Sequence, residues 1–375
     1  MPRFARADGR LDIKSLSLEE LEAEMSGLGS EKFRALQVYK WLWQRGVRSF
    51  DEMTNIAKSA RVGLAERFYI PWLDCVGVLE SKDGTTKFLW KTEEGQQIES
   101  VLIPDEDRLT LCVSSQVGCA MACTFCLTGD LGLKRQLRPS EIANQPLQIR
   151  TGLAGDTRIT NVVMMGMGEP LHNYDNLVAA LRTYLSEDGL GFSHRKITVS
   201  TVGLVPAMQK LTNDLPVNLA VSLNATTEEQ RREVMPITRK YSMAELLEAC
   251  RNLPIMSHKR ITFEYVMMAG FNDAMEDAAR LVKLLRGIKS KVNLIPYNEN
   301  PDRESIKRPP EARVRAFQTY LVNHGVQCSV RSTRGVDISA ACGQLGKADG
   351  ASAIDWFSRN KAQPADAPAP EAPAT

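Results

Sequence analysis

Histidine is scarce in this chain. His172, His194, His258 and His324 are the four among 375 residues, and no two stand at metal-ligand spacing. That scarcity argues against a metal centre built on imidazole. No apolar run is long enough to span a bilayer, and the basic start, Met1-Pro-Arg-Phe-Ala-Arg, lacks the apolar stretch of a signal peptide. Neither sign of charge dominates: 47 Lys and Arg against 45 Asp and Glu leave +2, so contact with a polyanion must come from local patches. Cysteine is the exception to this spareness. Eight thiols without an export signal point to a reducing, cytoplasmic setting and to metal or redox chemistry.

Three of the eight lie on one short stretch, Cys119-Ala-Met-Ala-Cys123-Thr-Phe-Cys126, spaced C-x3-C-x2-C. Thiolates are the usual ligands of iron–sulfur clusters, and a four-iron cube offers four corners. With no fourth cysteine nearby, one iron stays open to a non-protein ligand, which suits chemistry better than electron storage. The alternative is a zinc knuckle, for which structural zinc wants a closed set of four ligands.

The first seventy or so residues read as helical. Leu16, Leu18, Leu21 and Met25 fall at helical spacing, as do Phe33, Leu36, Trp41 and Trp43. Residues 1–75 are therefore expected to form a small helical accessory domain. Residues 76–104 alternate about Asp83-Gly84, a hairpin signal, and are expected to be a β-hairpin connector. From about residue 108, apolar runs at 109–113, 161–165, 197–200, 217–222, 261–267, 292–295 and 328–330 alternate with amphipathic helical stretches. The latter cover 176–186, 205–211, 243–253, 275–285 and 311–323. Strands alternating with helices predict parallel βα units, here an α/β fold with a partial (βα)6 barrel over 105–345. Pro146 within 141–150 predicts a kink or an early helix end. Residues 346–375 are expected to be a disordered tail, Ala/Pro-rich from Ala362 to Thr375.

In βα barrels reactive groups gather where strands end. The cysteine stretch follows the first strand of this run, Gly166 to Glu169 follow the second, and Ser200 closes the third. Ser222 and Asn224 close the fourth, and Asn298 follows the sixth. Gly166 and Gly168 would let backbone approach a ligand, and Glu169 can accept from an ammonium or a ribose hydroxyl. Taken singly, each Ser or Asn is more often a turn-former or a helix cap. Cys75, Cys250 and Cys328 sit among apolar neighbours and read as buried small hydrophobes. Cys112 shares the polar face of its strand with Thr110 and Ser114. Cys342 lies between small residues after the last strand. A structural disulfide between these two does not suit a reducing compartment, so they read as a transient catalytic pair.

Together these features resemble the radical S-adenosylmethionine (SAM) superfamily and, within it, the RlmN/Cfr family of RNA methyltransferases. The resemblance runs over about residues 20–345. It rests on the cysteine spacing, on Met165-Gly-Met-Gly168-Glu169-Pro170, on Ser222-Leu223-Asn224 and on Asn293-Leu-Ile-Pro-Tyr-Asn298. Asp337-Ile-Ser-Ala-Ala-Cys342-Gly-Gln-Leu345 completes it.

The resemblance implies a [4Fe–4S] cluster on Cys119, Cys123 and Cys126, one per chain, and two SAM consumed per turnover. It implies SAM contacts from Gly168, Glu169, Ser200, Ser222, Leu223, Asn224 and Asn298. Cys342 would carry a methylcysteine, Cys112 would be the resolving thiol and Glu99 the proton acceptor. A transient protein–RNA adduct would join Cys342 to C2 of an adenosine in 23S ribosomal RNA or, 3′ of the anticodon, in transfer RNA. An electron donor of flavodoxin or ferredoxin type, no membrane and a monomeric state complete the expectation. Arg34, Lys40, Arg45, Arg48, Lys134, Arg135 and Arg138 are candidate phosphate contacts, either an RNA-facing surface or a solvated charged face. Three alternatives stay open: a C8-specific methyltransferase of the same family conferring antibiotic resistance, a glycyl-radical activating enzyme, and a zinc-binding RNA module without catalysis. The segment Arg34-Ala-Leu-Gln37-Val-Tyr-Lys-Trp41 favours the C2 branch.

Overall fold

A ten-stranded sheet forms the spine of the computed structural model, which describes residues 4–29, 31–255, 259–346 and 356–357. Before it comes a helical segment held between two short parallel strands, β1 (Leu11–Asp12) and β2 (Phe68–Tyr69). Its helices are α1 (Leu18–Gly27), α2 (Lys32–Lys40) and α3 (Lys58–Arg67). Ser17 opens α1 with a reciprocal cap: its side chain accepts from Glu20 N while the Glu20 carboxylate accepts from Ser17 N. α2 runs on into a wide π-type turn, Trp41–Arg45, which Gly46 ends in the left-handed region. The buried stripe here is Ala35, Val38, Tyr39, Leu42 and Trp43, one helical face. The expected stripe through Phe33 and Leu36 is thus rotated, with Phe33 51% exposed. The Tyr39 hydroxyl donates to Thr183 Oγ1 (3.2 Å) in the following domain, and that bond holds the helix in this rotation.

The sheet begins with an antiparallel meander, β3 (Asp74–Glu80), β4 (Thr86–Lys91) and β5 (Gln97–Asp105). The hairpin at Asp83-Gly84 forms where expected, with Glu80 opposite Thr86. It is no separate connector, however, because the second half of β5 pairs with β6 (Arg108–Cys112), from Val101↔Cys112 to Asp105↔Arg108. After β6, a two-strand clip of β7 (Gln116–Val117) and β8 (Arg135–Gln136) brackets the cysteine stretch. The remaining sheet strands are β9 (Asn161–Met164), β10 (Ile197–Thr201), β11 (Asn218–Ser222), β12 (Ile261–Met267), β13 (Ser290–Pro296) and β14 (Cys328–Val330). They follow β6 side by side and all parallel. Seven parallel strands with helices in the crossovers make the open, partial barrel predicted from the alternation.

Those helices are α4 (Leu127–Asp130), α5 (Pro139–Thr151), α6 (Tyr174–Leu185), α7 (Val205–Asp214), α8 (Glu228–Val234), α9 (Met243–Asn252), α10 (Met275–Leu284) and α11 (Glu311–Asn323). α5 continues past Pro146 to Thr151 rather than ending there. Proline leaves the carbonyl four residues earlier without its amide partner, and here that carbonyl, Ile142 O, accepts instead from the Tyr184 hydroxyl on α6 (2.8 Å). α5 also anchors the N-terminal segment. The fully buried Lys14 donates to Asn144 Oδ1 (2.9 Å) beneath the Trp72 ring, and the Ser140 hydroxyl donates to the Asp12 carboxylate.

Beyond Leu345 the tail expectation needs correction at one point. Trp356 is buried, packed edge-on against Phe88 with ring centroids 4.9 Å apart, and Phe357 lies beside it. Trp356 and Phe357 bring aromatic area that the Ala/Pro-rich end of the chain lacks. Ala362–Thr375 lies outside the described residues. Among the described residues, no helix is long and apolar enough to cross a membrane.

Tyr184→Phe should lower stability by about 1–2 kcal/mol, since it orphans a buried carbonyl. In a Pro146→Ala background the new amide can serve Ile142 O, and the same substitution should cost much less. Denaturant unfolding of the four proteins measures the difference; an equal cost in both backgrounds would show that the hydroxyl does not serve this carbonyl.

Candidate active site

The cysteine stretch leaves the end of β6 and is held at both ends. β7 and β8 pair across it, and Cys119 N donates to Gly132 O (3.1 Å). Gly118 takes a positive φ of 75°, and a side chain there would meet Gly132 O at 1.8 Å. Around the loop a small apolar shell of Met121, Val234, Met235, Met268 and Tyr297 packs against the sulfurs. Burial pushes all three thiols up, Cys119 to about 12, so as free groups they keep their protons. Binding to metal must release those protons.

Two adjoining cavities open at the ends of the parallel strands. The first is walled by Cys119, Cys123 and Cys126 together with Gly166, Gly168, Glu169, Ser200, Ser222 and Asn224. The second is more polar and includes Thr110, Cys112, Asp105, Arg108, Ser329 and Arg334. Met165, Ile295, Asn298, Arg331 and Cys342 belong to both walls. The cluster cysteines thus face one chamber, Cys112 faces the other, and Cys342 stands at their junction. All eight cysteines are free, so Cys112 and Cys342 are present as thiols. Burial and the neighbouring Cys342 raise Cys112 to about 12.

Each remaining predicted residue has a defined place. Glu169 is 2% exposed and accepts from Leu171 N (3.0 Å) and Val202 N (2.8 Å); burial lifts its carboxyl to about 7. Gly166 and Gly168, both in the wall of the first chamber, also have a packing reason to be glycines. A Cβ on Gly166 would meet Ser114 Oγ and Val113 C at 2.7 Å, and one on Gly168 would meet the Gln116 side chain at 2.5 Å. The room they leave is taken by the chain that follows β6. Asn224 lines the first chamber in the left-handed region (φ 58°), but its amide is engaged with Val266 N (2.8 Å) and Met235 Sδ. Asn298 donates to Cys342 O (3.0 Å) and leaves a buried Oδ1 without a partner. Leu223 lies in the core, in neither wall, with its amide on Glu264 O.

Glu99 differs from an ordinary strand carboxylate. It is 2% exposed, accepts from Gly346 N (3.1 Å), lies 3.5 Å from the equally buried Lys87 ammonium and stands outside both chamber walls. Burial raises its pKa against the pull of Lys87. Among the candidate phosphate contacts, Arg135 is engaged by Glu94 (2.6 Å) and Glu141 (2.7 Å), and Arg138 by Glu94 and the Tyr69 hydroxyl. Lys40 pairs with Asp188 (3.0 Å), and Arg48 lies over the Trp72 ring. Spacing in sequence gives no sign of such partners. Exposed Arg45 and Lys134, with half-buried Arg34, keep their candidacy.

Sequence reading missed three residues. Gln116 Oε1 accepts from Glu169 N (2.7 Å). The buried Arg231 guanidinium ties Val202 O (2.7 Å) to Ser222 O (3.2 Å) behind the first chamber, and burial lowers it to about 10. Arg331 stands between the chambers. Side chains that act by bracing loops, or that come from a different strand, carry no local motif.

The residues present fit a cluster better than a single ion. Among the described residues, no three His, Cys, Asp or Glu side chains converge as a lone ion requires. One zinc would draw three sulfurs to about 2.3 Å from one point, whereas a cube meets each thiolate at its own corner.

Comparison with known proteins agrees. The model of the ribosomal RNA large subunit methyltransferase N-terminal domain matches residues 11–70, and that of the radical SAM superfamily matches 113–282. The dual-specificity RNA methyltransferase RlmN of Pelobacter propionicus is 52% identical over 344 residues, 91% of this chain and 98% of that protein. The chain belongs to the RlmN family of RNA methyltransferases. The RlmN of Geobacter sulfurreducens is likewise 52% identical, over 91% of this chain and 94% of its own. The crystal structure of a radical SAM methyltransferase from Sphaerobacter thermophilus superposes with a TM-score of 0.83 at 41% identity, covering 89% of this chain and 98% of that one. As a radical SAM methyltransferase the protein uses a [4Fe–4S] cluster and SAM.

Replacing Lys87 by Met should leave Glu99 as a buried carboxyl without its cation, at a cost of about 3–5 kcal/mol near pH 8. Because burial raises the folded pKa above the unfolded one, the folded state keeps a proton that the unfolded state has lost. Stability of Lys87→Met should therefore fall as pH rises from 5 to 8. Denaturant midpoints at the two pH values measure this; a loss independent of pH would mean that the Glu99 charge is not what Lys87 offsets.

Proposed function

We propose that this protein methylates C2 of adenosine in 23S ribosomal RNA and, at the position 3′ of the anticodon, in transfer RNA. The observation that carries the reading is the place of Cys342, at the junction of a chamber walled by three thiols and a polar chamber walled by Cys112. A group that takes methyl on one side and delivers it on the other needs that position. C2 of adenine is an electron-poor carbon between two ring nitrogens, so direct polar transfer of a methyl cation to it is unfavourable.

Cys119, Cys123 and Cys126 would hold the cluster, leaving one iron for SAM. When bound, these groups supply reductive cleavage of SAM to a hydrogen-abstracting carbon radical. Glu169, Ser200, Ser222 and the free Asn298 Oδ1 offer the polar contacts for SAM, with Gly168 and Asn224 shaping the wall. Cys342 accepts a methyl group, presents it as the carbon that joins C2, and remains bound to the RNA through it. Cys112, giving up its proton, then attacks the Cys342 sulfur; the sulfur–carbon bond breaks with its pair going to the methylene carbon, which takes a proton and becomes the methyl group, so the RNA is freed and the two sulfurs are left bonded. Glu99 serves as acceptor of the C2 proton, supported by its raised pKa; its ion pair with Lys87 through Oε2 and its contact with Gly346 must open for this.

Residues 1–75 would present RNA with Arg34 and Arg45, and Lys134 would add a phosphate contact beside the cluster loop. The protein would act as a cytoplasmic monomer supplied with electrons by a flavodoxin- or ferredoxin-type carrier. C2 rather than C8 specificity is supported by the relatives named RlmN.

Cys112→Ala should begin the reaction and fail to finish it. Protein purified from cells, treated with nuclease and mapped by mass spectrometry should carry a nucleotide on the Cys342 peptide, whereas Cys342→Ala should carry none. A bare Cys342 peptide in Cys112→Ala would remove Cys112 from the resolving role.

A further inference from the structure

We propose that Ser329 selects adenine as the base taken into the second chamber, its hydroxyl oxygen accepting a hydrogen bond from the exocyclic amine. The inference rests on the proposed substrate and names the group that reads it. Glu264, Asn293 and Ser329 stand in one row across β12, β13 and β14, for Glu264 pairs with Asn293 and Asn293 with Ser329 in the parallel register. Residues in register on neighbouring strands share a face of the sheet, and here their side chains are joined. Asn293 Nδ2 donates to both Glu264 oxygens (3.1 and 3.4 Å), and the Ser329 hydroxyl donates to Asn293 Oδ1 (2.8 Å). The row runs from one chamber to the other. Glu264 is in the wall of the first, and Asn293 and Ser329 are in the wall of the second. It opens along its length, from buried Glu264 through half-buried Asn293 to exposed Ser329.

The direction of these bonds decides what Ser329 can offer. A carboxylate accepts and cannot donate. Burial raises the Glu264 pKa, and the Arg331 charge and the Asn293 amide oppose that rise. Glu264 therefore turns the amide nitrogen of Asn293 toward itself and leaves the amide oxygen toward β14. That oxygen takes the one hydrogen of the Ser329 hydroxyl. An unattached serine rotates its hydrogen to suit either kind of partner, whereas this one has lone pairs alone to show the chamber.

Other polar groups of the same wall do not discriminate in this way. Thr110 and Ser332 make no side-chain hydrogen bond among the described residues, so their hydroxyls suit a donor or an acceptor. Asp105 is occupied by Arg108 and by Arg334 (3.6 Å), and the free Asn298 Oδ1 is assigned above to SAM. Adenine donates from the amine on C6, where guanine carries a carbonyl oxygen. A base with oxygen at C6 would set lone pairs against the lone pairs of Ser329. C2 and C6 flank N1 in one ring, so a hold on the amine also sets the direction in which C2 points.

The test compares transfer RNAs assembled with adenosine, purine ribonucleoside or inosine 3′ of the anticodon. They are methylated in competition by the full-length, cluster-loaded enzyme. Purine lacks the amine and inosine has an oxygen in its place, while both keep the C2 hydrogen. Each ratio of kcat/KM is taken within one tube, which cancels changes in cluster content, SAM binding or folded fraction. C2 of the three bases differs in intrinsic reactivity, so the reading is the change of each ratio between protein variants. Ser329→Ala should lower the adenosine-to-purine ratio about tenfold, and Ser329→Thr should keep it. Glu264→Gln lets the Asn293 amide turn and frees the Ser329 hydrogen. Its adenosine-to-inosine ratio should fall about tenfold while its adenosine-to-purine ratio holds, a split that a merely structural role does not produce. An unchanged adenosine-to-purine ratio in Ser329→Ala, or an unchanged adenosine-to-inosine ratio in Glu264→Gln, would overturn the inference. So would a loss in Ser329→Thr as large as that in Ser329→Ala. If wild type leaves the adenosine transfer RNA without 2-methyladenosine, the proposed function itself falls, and the inference with it.

Discussion

The short seam between the cluster loop and the segment that carries Cys342 is the constraint on which the site depends. Leu127 N donates to Gly343 O (2.8 Å), and the Thr128 hydroxyl donates to Leu345 O (2.8 Å). On the other side Asn298 holds Cys342 O, and Gln344 donates to Glu299 O (3.0 Å). A further bond ties Gly346 N to Glu99 on β5. The segment has little regular structure of its own, so these bonds, made by α4, the end of β13 and β5, set where its sulfur stands. Residues some 215 apart in the chain become parts of one wall.

The rest of the barrel makes that seam possible. Parallel strands deliver their C-terminal ends to one rim, which brings the loops after β6, β9, β10, β11 and β13 together. Bracing within the rim uses buried polar groups that lie in neither chamber wall: Gln116 against Glu169, Arg231 across two strand ends, Asn272 against Asn224 O (2.8 Å) and Val266 O (2.7 Å). Such groups are costly to leave unpaired in a dry interior, and here every polar side-chain atom of the three but Arg231 Nε has a partner. The outcome is a set of chamber walls fixed before any ligand arrives.

Much of this was legible in the sequence because period and punctuation agree with the fold. The strands Ile261–Met267 and Cys328–Val330 and the helix Glu311–Asn323 fall where alternation and helical spacing place them. Cys112 was legible from the two-residue period of its strand. What was not legible depends on partners distant in sequence. Pro146 does not stop its helix because Tyr184 serves the orphaned carbonyl. Arg135 and Arg138 resemble phosphate ligands until Glu94 and Glu141 are seen beside them. The left-handed Asn224 and the packing that demands Gly166 and Gly168 are properties of assembled loops. Arg331 belongs to none of the sequence motifs, and its place shows only once both cavities it lines are assembled.

The central claim is that the chemistry at Cys342 ends on C2 of adenosine. Nucleoside mass spectrometry of ribosomal and transfer RNA from cells with the gene deleted tests it most directly. The account predicts loss of 2-methyladenosine from both RNA pools, restored by the intact gene and not by one encoding Cys342→Ala. Unchanged 2-methyladenosine, or loss of an 8-methyladenosine in its place, would contradict it.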